Sequence, residues 1–322
     1  MDISRSGNHD LITWVFMFKK DKSLKHTLGQ SKTPSNRGNA GSRYRKGKAS
    51  TPWESLQTAK KMSDKSTGRL APLTGRTIRY RHELKYHISE SKAEAIAQFI
   101  KPHLQLDRYC KLQRSGDYPI VSLYLDSSDL WLCQESLRGH KNRFKLRIRS
   151  YTDEPDYPRF LEIKRRINTI IIKNRARIMD CDVPTLLAGS SLPPQNYTAD
   201  METIGQFQLY MNNIKARPAV LVRYTRQAYE GGLENRLRIT FDRELAYNVT
   251  SLPEVRLGGG GWQPNPYTLG GIILEIKFTG HYPVWLSRMV KCFNLRQQSI
   301  SKYASSIKES CLLKFCAPRL MG

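Results

Sequence analysis

Across residues 78–308 the chain repeats one pattern that few folds accommodate. Strand-length segments place an aliphatic residue at every second position and, between them, mostly Arg or Lys. Phe144, Leu146 and Ile148 alternate with Lys145, Arg147 and Arg149, and Leu161 and Ile163 alternate with Glu162 and Lys164. Ile170, Ile172, Ala176 and Ile178 alternate with Ile171, Lys173, Arg175 and Arg177. Arg79, Arg81, Glu83 and Lys85 oppose Tyr80, Leu84, Tyr86 and Ile88, and Ile272, Leu274 and Ile276 oppose Ile273, Glu275 and Lys277. Successive side chains of a strand point to opposite faces, so each segment reads as a strand with one apolar and one charged face. Residues 120–126, 219–229 (carrying Arg223) and 237–241 (carrying Arg238 and Thr240) add further strands. About eight strands is a common number for a small barrel. The expected fold class is therefore α+β: a closed antiparallel β-barrel forming a basic tunnel, with flanking helices.

The helices are read from capping and spacing. Ser91-x-x-Glu94 forms a capping box, and Ala95, Ile96, Phe99, Ile100 and Leu104 form a buried stripe that ends near Pro102. A short amphipathic turn is expected at 130–137, a helical insert at 200–213 and a final helix at 284–293; residues 258–261 and their Pro-rich sequel form a flexible loop. Residues 1–75 are expected to be a disordered basic tail, with the folded domain at 76–312 and a short tail at 313–322. The tail bears on the charge argument. The first 70 residues hold 15 basic and 5 acidic residues, so most of the net charge of +25 belongs to the rest. A surplus of that size points to a polyanionic partner. The six cysteines show no metal-ligand spacing, which suits reduced, buried thiols. The N-terminal apolar run 11–18 is too short to span a bilayer and lacks a basic region before it.

Whether the charged faces look inward or outward decides what they do. For a single strand a solvated outer face is about as good a reading. Taken together, the segments favour an inner wall. Arg and Lys dominate strand after strand, and Glu83, Glu162 and Glu275 each stand two residues before Lys85, Lys164 and Lys277. Cations around a narrow channel repel one another until a polyanion relieves them, and Arg offers planar forks to phosphate oxygens. Carboxylates there make sense as ligands of a hard divalent ion, or as partners that orient the lysines. His82, His87 and His140 are expected to satisfy local hydrogen bonds, and Asp126 to end its strand at a turn.

Arg79-Tyr80-Arg81-His82-Glu83-Leu84-Lys85-Tyr86, Ser122-Leu123-Tyr124-Leu125-Asp126, Lys145-Leu146-Arg147-Ile148-Arg149 and Leu161-Glu162-Ile163-Lys164 resemble the VTC (vacuolar transporter chaperone) domain. So do residues 217–224, 237–242, Leu274-Glu275-Ile276-Lys277 and Ser301-Lys302-Tyr303, all in order. That family belongs to the triphosphate tunnel metalloenzymes, and its catalytic eukaryotic members are polyphosphate polymerases. The resemblance implies that Lys85, Arg147, Arg149, Lys164, Arg223, Arg238 and Lys302 bind phosphate, with Lys173 or Arg175 in another such role. Lys145 and Lys277 would add to the phosphate-binding wall. Glu275 would hold Mn²⁺ or Mg²⁺. Two departures count. The hydrolytic branch of the superfamily carries Glu-x-Glu-x-Lys on its first strand, where this chain has Arg81 before Glu83 and Lys85. Ser299 stands where the family often has a second Lys.

The function the resemblance implies is transfer of the ATP γ-phosphate onto a growing polyphosphate chain. ATP and polyphosphate would be the ligands and the location cytoplasmic, with a separate membrane protein as the partner that would bring the chain to a membrane. Hydrolysis of tripolyphosphate or nucleoside triphosphates at the same site is the first rival, and a non-catalytic polyphosphate sensor the second. Specific nucleic-acid binding ranks last, because the basic residues alternate with aliphatics rather than with aromatics suited to stacking on bases.

Overall fold

A computed structural model describes residues 81–310 apart from 169, 194–197, 199, 232–236 and 281. The expectations for the tails at 1–75 and 313–322, and for Cys311 and Cys316, lie outside the described residues. Each alternating segment is a strand: β1 Arg81–Ile88, β3 Tyr118–Asp126, β4 Asn142–Ser150, β5 Arg159–Ile167, β6 Ile170–Ile178, β7 Arg217–Glu230, β8 Arg238–Val249 and β10 Ile272–Thr279. Two short strands, β2 Gln105–Leu106 and β9 Gln263–Pro264, lie beside β7 and β8. All described pairings are antiparallel, in the order β1-β10-β8-β7-β3-β4-β5-β6.

The sheet is not closed by hydrogen bonds, which corrects the expected closed barrel: β1 and β6 are its two ends. Alternation reports which face a side chain takes, not which strand edges meet, so closure was not legible. The free edge of β1 is taken instead by a passing segment, with Tyr86 bridged to Gln297 and the Gln298 amide donating to the Lys85 carbonyl. The sheet nevertheless curls. Lys164 on β5 reaches Glu83 on β1 at 3.0 Å, although five strands separate the two along the hydrogen-bonded path.

Helices cover the apolar faces. Helices α1 (Glu90–Ile100) and α6 (Val284–Cys292) bury Ile96, Ile100, Leu286 and Met289 against Tyr86, Ile239, Leu274 and Ile276. Helix α5 (Met201–Asn213) buries Ile204, Phe207 and Met211 against Leu146, Ile148, Leu161 and Ile163. Shorter helices α2 (Arg108–Lys111), α3 (Trp131–Leu137) and α4 (Val183–Leu187) fill the connections. Helix α1 starts two residues earlier than its capping box suggests. Ser89 is extended and its hydroxyl accepts from the Lys92 amide, so the helix begins directly after β1 and turns Ala93 rather than Ala95 inward. Cys110 and Cys133 are buried but Cys181 and Cys292 are exposed, so burial of the thiols holds only in part. No helix among the described residues is long and apolar enough to cross a membrane.

Helices α2, α4 and one more have no counterpart in the sequence pattern, and the last of these borders the charged face. Helix α7, Lys302–Glu309, packs Tyr303, Ala304 and Ile307 onto Tyr124, Val220, Val222 and Tyr224, on the concave side of the sheet. Asp126 anchors it. Its carboxylate ends β3, accepts the Leu132 and Cys133 amides at the start of α3, and accepts the Tyr303 hydroxyl. Tyr303→Phe is expected to lower unfolding free energy by about 1–3 kcal/mol, because a buried acceptor loses a donor. Urea unfolding with an unchanged m-value checks this; a stability within about 0.5 kcal/mol of wild type would mean the bond contributes nothing net.

Candidate functional site

Cross-strand partners share a face, and the register gathers the charged residues. Tyr124, Arg147, Glu162 and Arg175 lie in one row across β3–β6, with Lys145, Lys164 and Lys173 in the next row across β4–β6. At the other end Lys85, Glu275 and Thr240 share a row across β1, β10 and β8, beside Glu83, Lys277 and Arg238. Because helices α1, α5 and α6 occupy the apolar faces, the cations look onto the concave side. The inward reading of the charged faces therefore holds.

Four carboxylates organise these cations. Glu162 is 1% exposed and sits among Arg147 at 2.6 Å, Lys173 at 2.6 Å, Arg175 at 3.5 Å and Arg149 at 3.9 Å. Burial pushes its carboxyl up, but Arg147, Arg149 and Lys173 outweigh that and hold it well below the usual range. Arg147 also donates to the Tyr124 hydroxyl at 3.0 Å, and Arg149 to Ser122 at 3.2 Å. Burial is the main reason Lys173 is pushed down to about 8.

Glu275 lies 2.6 Å from Lys277, 3.7 Å from Lys85 and 3.9 Å from Arg226. Glu83 lies 3.2 Å from Lys85 and 3.0 Å from Lys164, and its carboxylate and that of Glu275 repel each other. Burial pushes Glu275 up, yet Lys277 and Lys85 hold it well below the usual range. The fourth carboxylate, Asp242, accepts two bonds from Arg226 at 2.6 and 2.8 Å and pairs with Lys302 at 2.6 Å. Burial opposes its ionisation but Arg226 and Lys302 prevail, lowering it to about 2.

The converging pair Glu83 and Glu275 is the observation against which a metal can be tested. Among the described residues there is no group of three acidic, thiol or imidazole side chains. A buried and a half-buried carboxylate suit a hard ion that takes its remaining ligands from water and substrate phosphate, as Mg²⁺ and Mn²⁺ do. The residues present fit such an ion, with Glu83 joining Glu275.

The sequence-predicted residues separate accordingly. Lys85, Lys145, Arg147, Arg149, Lys164, Lys173, Arg175, Glu275, Lys277 and Lys302 come together on the concave side. Arg238 is on the same face, but its guanidinium is drawn to Asp107 at 2.5 Å, the Tyr118 hydroxyl at 3.2 Å and Glu230 at 3.0 Å. Arg223 is a correction. It pairs with Val121 on the opposite face, donates to the Leu257 carbonyl at 2.6 Å and lies over the Trp262 ring at 4.3 Å. The strand's concave-side cation is Arg226, three residues on and therefore on the other face. Val220, Leu221 and Val222 are all buried, so both faces of β7 are apolar and alternation could not choose between the two arginines. Glu162 is the ion-pair partner its Glu-x-Lys pattern suggests, though of cations on β4 and β6, and Asp242 is an organising acid with no signal of its own in the sequence.

The VTC domain model matches residues 80–310. The chain belongs to the VTC domain family. Among curated proteins, no sequence matches it. Its sheet is similar to that of a protein assigned as an adenylate cyclase from Bacillus halodurans, at 12% identity and a TM-score of 0.40, covering 70% of this chain and 94% of that one. A protein from Hippeastrum, assigned as an adenylyl cyclase and described with a dominant triphosphatase activity, is 15% identical with a TM-score of 0.38, covering 70% and 95%. A Pyrococcus horikoshii protein is 13% identical with a TM-score of 0.36, covering 72% and 99%. Likenesses at this level say nothing further about the chain.

Proposed function

We propose that this VTC-family protein is a polyphosphate polymerase that transfers the ATP γ-phosphate onto the end of a polyphosphate chain held on its concave basic face. The observation that carries this reading is the convergence of cations from β1, β4, β6, β7 and β10 around Glu162 and Glu275. Arg147, Arg149, Lys173 and Arg175 would grip successive phosphates as forks and point charges, and Lys85, Lys164, Arg226, Lys277 and Lys302 would extend the track. Glu275 and Glu83 would hold Mn²⁺ or Mg²⁺, which supplies charge neutralisation at the β- and γ-phosphates. The chain's own part is positional. The guanidiniums align donor and acceptor phosphates and take up the charge that spreads over the transferring group, so no protein nucleophile is required. This reading assigns the protein to the cytoplasm, with a separate membrane protein as its partner.

The full chain incubated with ATP and Mn²⁺ tests it, with products resolved on gels and by phosphorus NMR. Long-chain polyphosphate, lost in Arg147→Ala and Glu275→Ala, supports the polymerase. Free phosphate from tripolyphosphate without chain growth moves the protein to the hydrolase reading, which the paired carboxylates Glu83 and Glu275 would serve by orienting water. Tight polyphosphate binding without turnover makes it a sensor.

A further inference from the structure

Among the described residues, every lysine on the concave side has a carboxylate within ion-pair distance except one. Lys85 and Lys164 have Glu83, Lys173 has Glu162, Lys277 has Glu275 and Lys302 has Asp242. Lys145 has none among the described residues. Its amine donates to the Ser301 hydroxyl at 2.7 Å, at the cap of helix α7, and lies 5.9 Å from the Tyr303 ring centre.

Its surroundings are cationic or neutral on every side. Lys85 faces it from β1, Lys164 from β5 and Arg143 from its own strand, while α3 offers the Cys133 thiol and α7 the groups of Ser301 and Tyr303. That thiol is itself pushed up to about 12, chiefly by burial, and stays neutral. On the facing strands, Glu83 is engaged by Lys85 and Lys164, and Glu162 by Arg147 and Lys173. Asp126 beyond Cys133 is taken by Tyr303 and backbone amides. A third ammonium has no local counter-charge.

We propose that Lys145 is a proton-linked phosphate ligand: its amine is neutral before a polyphosphate arrives and takes one proton from solvent as the chain binds. This rests on the reading of the concave face as a phosphate site, and adds to it the group that couples binding to pH. Burial first, then Lys85, Lys164 and Arg143, push the amine down to about 7. Phosphate oxygens beside it reverse that balance and restore the charged form. The sign follows. Above about pH 7 the unliganded amine is mostly neutral, binding takes up a proton, and observed affinity falls by up to about tenfold per pH unit. Below about pH 7 the ammonium already exists and this part of the pH dependence disappears.

Tripolyphosphate titrated into the full chain by calorimetry, in buffers of different ionisation heat, reads the protons taken up. Wild type minus Lys145→Arg, which keeps the charge permanently, is expected to differ by about 0.9 proton at pH 8 and about 0.1 at pH 6. The subtraction removes the contributions of Lys173, Lys277 and the probe itself. Tripolyphosphate binding with the same proton number in both proteins overturns the role of Lys145 and leaves the phosphate site standing. Absence of any tripolyphosphate binding by wild type overturns both. Should Lys145→Arg fold poorly, competitive acetylation of the wild-type chain, read by mass spectrometry of the Lys145 peptide, gives the same answer. Titration near 7, with labelling at pH 8 suppressed more than tenfold by tripolyphosphate, supports the proposal; titration at an ordinary lysine value overturns it.

Discussion

Arg147→Ala is expected to slow polyphosphate chain growth by about 10²–10³-fold, the usual loss when one preorganised donor to a developing charge is removed. Arg223→Ala should leave the rate within about twofold, the size of a 0.5 kcal/mol change. The contrast matters because the two arginines sit in similar aliphatic surroundings in the sequence. Arg147 is fixed on both sides, by Glu162 at 2.6 Å and by the Tyr124 hydroxyl at 3.0 Å, so its remaining donors are aimed onto the concave side without reorganisation. Arg223 is turned away, bonded to the Leu257 carbonyl and stacked on Trp262. Single-turnover elongation of a primed chain, at saturating ATP and Mn²⁺, separates the rate from binding. Equal losses in both variants would mean that the concave face is not where phosphate is transferred. A loss in Arg147→Ala that polyphosphate concentration repairs fully would make Arg147 a binding group only.

What the sequence made legible follows from what alternation encodes. On β4 and β10 one side of the strand is apolar through its centre, and on β5 Leu161 and Ile163 mark it, so period two identifies both the strand and the face of the central cations. The same logic fails on β7, which is apolar on both sides where it passes between the convex core and helix α7. There alternation does not tell Arg223 from Arg226, and only the structure puts Arg226 on the concave side. Closure of the sheet was illegible for another reason. Strand edges are bonded through the backbone, and nothing in the side-chain pattern of β1 says that residues 297–298 rather than β6 lie against it.

Helix α7 was more recoverable. Ser301 caps the Ala304 amide, and Tyr303, Ala304 and Ile307 have helical spacing. The segment is only eight residues long, however, and Lys302 was read as part of a family motif instead of as a first helical residue. Its placement turns Lys302 from an isolated cation into the partner of Asp242, a pairing that joins residues sixty positions apart and has no local signature. The hub acids share that property. Glu162 is one residue in a Glu-x-Lys pair along the chain, but in space its partners come from β4 and β6, and its own strand's Lys164 goes to Glu83.

That hub sets the second large effect. Glu162→Gln is expected to lower stability in phosphate-free buffer by about 3 kcal/mol, the low end of the range for breaking a buried ion pair, which for a domain of this size is roughly 6–12 °C in melting temperature. The low end applies because Lys173 and Arg175 are 41% and 38% exposed, so water screens part of their repulsion. Arg147 and Arg149 have no such relief, and the amide leaves them facing each other with no anion between. The pH dependence must change with it. The lowered Glu162 carboxyl contributes stability that is present above its ordinary value of 4.5 and lost as pH falls through its folded value, so the variant should lack that part of the acid limb. A polyphosphate would then supply the missing negative charge without first displacing a carboxylate, and the two energies should run in opposite directions. Tripolyphosphate at a fixed concentration is expected to raise the melting temperature of Glu162→Gln more than that of wild type, with affinity increased about tenfold, the equivalent of 1.4 kcal/mol. Differential scanning calorimetry with and without tripolyphosphate decides the matter. A variant that loses stability and recovers none with ligand would show that Glu162 orients the guanidiniums for phosphate rather than competing with it. A variant as stable as wild type would mean that solvent alone suffices to hold four cations together on this face.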